Sequence, residues 1–321
     1  TMEFKRPTPE QAYWGLRAMK TVALVDGRFD EAERHMLQSI QRVLQTDYDI
    51  EALEPIEADL LARSLSDPQI RRQLVNGLIV MSMIDQEATA EETSLIEKYA
   101  QALEVPQDNV RNLRQLAEQE LFTLRFDLLR RFWVIDKFKE IWHEEGLRGL
   151  AKIVGAVAGQ YENTALAARY QQLETYSEGS LGREYWKYCQ KNCFPLPGEK
   201  GSAPETIIYH DCSHILSGYD TDPAGEVQVA CFSAGYRRKD PFTFVFFVLL
   251  QFHLGIRMTP ITQAKTGFFD PETALIALQR GAAMSIDLTE GWDYWSAMRE
   301  SVDFLRHQYT IPPLPERQAS R

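Results

Sequence analysis

The clearest chemistry in this chain is written in His210-Asp211-Cys212-Ser213-His214, followed after eleven intervening residues by Glu226. On a helix, at about 100° per residue, His210, Asp211 and His214 fall at roughly 0°, 100° and 40° and share one face. Ile208, Cys212, Ile215, Leu216 and Tyr219 occupy the opposite arc, between about 140° and 240°, so that arc is the packed side. Ser217 and Gly218 beside the His/Asp face are small enough to leave room for an ion. Asp222-Pro223 is a helix start, with the acid as N-cap and proline at the first helical position. It places Glu226 in the first turn of a second helix, from which a tight hairpin folds it back towards the histidines. Two imidazoles with one or two carboxylates suit a divalent metal. The competing reading is a solvated polar face. Peptide hydrolysis is disfavoured, because Asp211 stands where the zinc-protease pattern H-E-x-x-H carries its general base.

The elements that must position this motif read as helices. Apolar residues recur at helical spacing over Thr206–Gly218, Pro223–Phe232, Pro271–Met284 and Trp292–Tyr309, and no alternating strand pattern rivals them. Phe242–Leu250 is a continuous apolar run of strand-like composition, assigned here as a buried helix. Residues 195–204, with three prolines and two glycines, read as a surface loop.

The first 120 residues hold only three of the 18 glycines and form a separate helical region. Val25-Asp26-Gly27-Arg28-Phe29-Asp30-Glu31-Ala32-Glu33 repeats as Ile84-Asp85-Gln86-Glu87-Ala88-Thr89-Ala90-Glu91-Glu92, 59 residues on. Each copy ends one helix and starts another with a capping box, Asp30-x-x-Glu33 or Thr89-x-x-Glu92. The fold class expected is all-α, in two domains: a duplicated helical-hairpin bundle over 1–120 and a metal-binding helical domain over 121–321. Residues 122–159 are the junction. Asp26, Asp30, Glu33, Asp85 and Glu92 could converge on a hard cation, but capping boxes on solvated helix ends explain them more simply. Cys189 and Cys193, four apart, read as core thiols rather than ligands, and Arg237-Arg238-Lys239 as a solvated loop.

Charge sharpens the division. The net formal charge is −11, and residues 1–120 carry 13 Lys/Arg against 22 Asp/Glu. So acidic a surface does not seek phosphate backbones, which excludes nucleic acid as the partner. Four irregularly spaced cysteines argue for reduced thiols and a cytoplasmic location. Thr1 to Arg6 is polar with no apolar segment behind it, so no signal peptide is expected. The longest apolar run, Phe242–Leu250, is about half the length a membrane span needs.

Gly179-Ser180-Leu181-Gly182-Arg183-Glu184-Tyr185, then Tyr209-His210-Asp211-x-x-His214 with Leu216-x-Gly218-Tyr219, and Asp222-Pro223-x-Gly225-Glu226 resemble the Coq-four family of coenzyme Q (ubiquinone) biosynthesis proteins. The resemblance covers roughly residues 165–315 and includes Gly281 and Ile311-Pro312-Pro313. It implies an all-helical protein with His210, Asp211, His214 and Glu226 as metal ligands and catalytic residues. Beside them it implies a pocket for a polyprenyl tail. The implied activity is oxidative decarboxylation of a prenylated aromatic acid, with carboxyl replaced by hydroxyl. The alternative is a non-catalytic, metal-dependent isoprenoid or quinone lipid-binding or scaffold protein. The metal is iron, zinc, manganese, cobalt or magnesium; a nitrogen and oxygen donor set argues against copper(I). Tyr236 to Pro241, with four consecutive charges, departs from the short small-residue connection expected there, which bears on the identity of the substrate. The N-terminal repeat resembles the TerB family of tellurite-resistance-related bundles over about residues 10–110. It would serve as an interaction module for a second copy or another protein. The expected partners are thus a prenylated aromatic or isoprenoid lipid and, through it, peripheral membrane contact. Phe242–Leu250 with the small residues of 150–159 is expected to line the tail pocket.

Overall fold

A computed structural model describes residues 4–132, 162–203, 205–258 and 262–315. The chain is all-α: among the described residues there is no strand, only the isolated bridges Ser180–Ser301 and Leu254–Thr266. The helices are α1 (Pro9–Ala23), α2 (Glu31–Leu44), α3 (Ala58–Ser64), α4 (Pro68–Met81), α5 (Ala90–Ala102), α6 (Asp108–Ala117), α7 (Leu121–Phe132), α8 (Thr164–Gln171), α9 (Leu181–Asn192), α10 (Ile208–Ser217), α11 (Pro223–Tyr236), α12 (Phe242–Phe252), α13 (Pro271–Ala282), α14 (Tyr294–Ala297) and α15 (Val302–Gln308).

The chain forms two compact units, Thr1–Phe132 with Asp222–Ala282, and Trp133–Thr221 with Ala283–Arg321. These units do not follow the sequence boundary at 120/121, because α11 to α13 belong to the same unit as the N-terminal helices. A boundary placed by composition cannot see that segments far apart in the chain share one core.

In the first unit the repeat is visible atom by atom. Asp30 Oδ1 accepts the Glu33 amide at 2.8 Å while Glu33 Oε2 accepts the Asp30 amide at 2.8 Å. Thr89 and Glu92 close the same box at 3.2 and 3.0 Å. Asp26 Oδ1 accepts the Arg28 amide and Asp85 Oδ1 the Glu87 amide, at equivalent positions of the two copies. Gly27 and its equivalent Gln86 both adopt left-handed backbone, φ 84° and 73°. The turn therefore demands that geometry, and only the first copy meets it with the residue that adopts it without a steric penalty.

The expected Phe242–Leu250 helix is α12, extended to Phe252, in which only Phe247 is not fully buried. His253 at its end bonds the Ile84 carbonyl at 2.8 Å through Nε2, tying α12 to the second repeat loop. Helices α11 and α13 meet backbone to backbone. A Cβ on Gly281 would stand 1.8 Å from the Phe232 oxygen, and one on Gly235 2.2 Å from the Leu278 oxygen, so only glycine fits at the crossing.

In the second unit, Ser180 caps α9 by accepting the Arg183 amide, and Gly182 lets the backbone around Met298 approach. Leu181 and Gly182 donate to the carbonyls of Glu300 and Met298 at 2.8 and 2.9 Å. This docking breaks the single helix expected over Trp292–Tyr309 into α14 and α15, since Met298–Ser301 turns to supply those carbonyls. The loop at 195–204 is not wholly at the surface either: Leu196, Pro197 and Gly198 are buried, and the Gly198 carbonyl accepts the Asn163 amide at 2.8 Å.

Candidate functional site

Helix α10 carries both histidines of the motif. It follows a 3₁₀ turn, Glu205–Ile207, and ends at Gly218, whose φ of 81° provides a left-handed C-cap. A Cβ at Gly218 would meet Leu314 Cδ1 at 2.8 Å. Arg306 from α15 donates from Nε to the Leu216 carbonyl and from Nη2 to the Ile215 carbonyl, both at 3.0 Å. These are carbonyls of the last turn, which no longer have intrahelical partners. A cation there also suits the negative end of the helix dipole.

The His210 and His214 rings lie nearly perpendicular, 5.0 Å apart between centroids. His214 is buried, 2% exposed, with its ring lying against Tyr188 of α9 at 5.8 Å. The face read from the wheel as polar is thus half interior, because α9 packs against it. Nδ1 of His214 is 3.1 Å from the Tyr219 carbonyl oxygen. A carbonyl only accepts, so this contact places the proton on Nδ1 and leaves Nε2 as the donor nitrogen of the ring.

His210, His214 and Glu226 each offer one ligand atom, and all three atoms lie within 4.8 Å of one another. Ligands held at about 2.0–2.2 Å around one ion stand roughly 3.3–4.4 Å apart. The donor set, two imidazoles and a carboxylate, fits a borderline divalent ion. This is the one such group among the described residues.

Asp211 lies outside that group. One residue past His210 it projects about 100° further round the helix, and its Oδ2 is 3.5 Å from the buried Tyr185 hydroxyl. Burial, followed by the nearby Asp211 charge, pushes the Tyr185 phenol well above its ordinary range. It therefore stays protonated and able to donate. Cys212 is fully buried, as the wheel indicated, and burial raises its thiol pKa well above the usual range. Tyr188 and Arg306 are supporting groups that the sequence reading did not single out. Tyr185 and Tyr219 stood in the quoted motifs, but nothing in the sequence gave them these roles.

The acidic repeat does not form a comparable cluster. Its carboxylates are occupied by backbone amides, and burial lifts Glu33 and Glu92 to about 7, with Asp85 also raised. Cys189 is buried and Cys193 exposed; neither joins a metal-competent group among the described residues.

A second feature lies wholly within the first compact unit. A cavity of about 240 Å³ is walled by α1, α2 and α4 together with α11, α12 and α13. Phe242 and Val245 of the α12 run line it, whereas Phe246 is fully buried elsewhere; none of His210, His214 and Glu226 is part of the wall, so this is not the pocket beside the metal that the run was expected to line. Residues 150–159, also expected there, fall outside the described residues.

Among the described residues no helix is long and apolar enough to cross a membrane. No protein-family model, no curated protein and no solved structure matches the chain.

Proposed function

We propose that the chain is a metal-dependent enzyme of the Coq-four type, carrying out oxidative decarboxylation of a prenylated aromatic acid. The observation that carries this reading is the convergence of His210, His214 and Glu226 within 4.8 Å. It is joined by the sequence motifs from Gly179 to Glu226 that led to the resemblance. His210 and His214 from α10 and Glu226 from α11 would hold a divalent ion. When bound, such an ion supplies positive charge to stabilise the anion left as carbon dioxide departs and, if redox-active, a route to dioxygen.

The remaining roles fall to the chain itself. The Tyr219 carbonyl fixes the His214 tautomer, and Arg306 holds the end of α10 so that the two rings keep their spacing. Tyr185, kept protonated by burial, can donate to Asp211 and so hold that carboxylate beside the site. Asp211 belongs to the ligand set that the resemblance implies, and a shift of its side chain away from Tyr185 would be needed for it to join. Buried His214 and the half-buried Tyr188 ring against it limit water on that side.

The test is turnover by the whole chain purified with its metal. With dioxygen supplied as the oxidant (ArCO2H + ½ O2 → ArOH + CO2), a 3-prenylated 4-hydroxybenzoate should release carbon dioxide and yield the ring hydroxylated at the vacated carbon. Glu226→Gln should abolish both. Stoichiometric metal with no carbon dioxide release from any prenyl-chain length would favour the carrier or scaffold reading instead.

A further inference from the structure

We propose that the cavity between the N-terminal helices and α11 to α13 binds the hydrocarbon chain of a lipid, and that α1, α2 and α4 serve to complete it. The inference stands on the cavity and is independent of whether the His/Glu cluster holds a metal. The walls are aliphatic and aromatic, with Leu16, Met19, Ile40 and Leu74 on one side and Val245 and Leu278 on the other. No Asp, Glu, Lys, Arg or His lines it. The three side-chain amides that do each have their oxygen already engaged. Gln11 Oε1 accepts the Thr8 amide at 2.9 Å. Gln73 exchanges two bonds with the Lys5 backbone at 2.6 and 2.8 Å. Asn76 Oδ1 accepts from Asn109 at 3.0 Å.

A sugar, nucleotide or carboxylate placed inside would therefore bury polar groups without partners. A hydrocarbon chain loses nothing on entering. The volume exceeds that of the apolar cavities of about 150 Å³ that stay dry and take up benzene. Gly77 keeps the space open, since a Cβ there would stand 2.6 Å from Met19 Cε. Met19 itself is a flexible wall that can follow the shape of a ligand. Phe4, Pro7 and Gln11 near α1, Leu44 at the end of α2 and Leu275 on α13 are half-buried lining residues, so the cavity reaches the surface and a polar headgroup can stay in water.

The experiment titrates the full chain calorimetrically with n-alkan-1-ols from C8 to C16 and, separately, with farnesol. Affinity should rise about fourfold per added methylene until the cavity is filled, and then level off. A farnesol affinity above that of dodecan-1-ol would assign the chain as isoprenoid, and the reverse would assign it as acyl. Ala12→Leu on α1 and Ala274→Leu on α13, both buried and lining, place new methyl groups into the space. Each should weaken dodecan-1-ol binding at least tenfold while leaving Tm unchanged or higher, the mark of filled free volume. The two variants sit on opposite walls, so one that fails to fold is judged by the other. Chain-length-independent binding, unaltered affinity in both variants, or loss of the fold in both would overturn the proposal.

Discussion

Two regions of this chain read alike in sequence, as acids and histidines at spacings that a cation could exploit. In the repeat, every acidic group of the pattern is already used locally, because Asp26, Asp30 and Asp85 accept backbone amides while Glu33 and Glu92 close capping boxes. In the α10 motif, by contrast, a backbone carbonyl at 3.1 Å engages Nδ1 of His214, and His214 is one of three residues whose ligand atoms lie within 4.8 Å of one another. The difference is one of supply. Helix starts have orphan amides that consume carboxylates, whereas an imidazole tied at one nitrogen presents the other as a donor.

The largest expected effect separates the two regions directly. His214→Ala should remove bound divalent metal, while Glu33→Gln and Asp85→Asn should leave it at the wild-type level, as measured by plasma emission analysis of the purified proteins. Loss of metal in the repeat variants would erase the distinction.

Next in size is support at a distance. Arg306→Ala uncaps the last carbonyls of α10 and should weaken metal binding by about tenfold, as loss of outer-shell support commonly does. Arg306→Lys, which cannot reach both carbonyls with one planar group, should recover only part of it. An affinity unchanged in both would mean that α10 holds its rings without α15.

The repeat should instead respond in stability. Asp30→Ala and Thr89→Ala each remove a capping oxygen and should lower unfolding free energy by about 1 kcal/mol in urea titrations. Their pH behaviour has a defined sign. Glu33 and Glu92 titrate near 7 in the folded chain against an ordinary 4.5. The folded state thus holds protons that the unfolded state has released. Their contribution to stability is complete below about 4.5 and lost as pH rises through 7. The double variant Glu33→Gln, Glu92→Gln should flatten that decline in Tm between about pH 5 and 8. The smallest effect is a gain: Gln86→Gly, at φ 73°, should stabilise by roughly 0.5–1 kcal/mol, with Gly27→Ala in the other copy doing the reverse.

The sequence by itself determined the all-α class, the duplicated loop and its capping boxes, and the placement of His210 and His214 on one helix with Glu226 in the first turn of the next. All of these rest on interactions within a few residues, where spacing alone fixes which groups meet. Only the tertiary structure decided that His214 is buried against Tyr188, that Asp211 turns to Tyr185, and that Trp292–Tyr309 breaks to serve Leu181 and Gly182. It also drew α11 to α13 into one compact unit with the N-terminal helices and so made the cavity. An apolar stripe declares that a helix will be covered, but the covering surface is chosen by shape. The glycine crossing at Gly235 and Gly281 shows why, since there the fit is set by carbonyls within 2.2 Å of where a Cβ would stand.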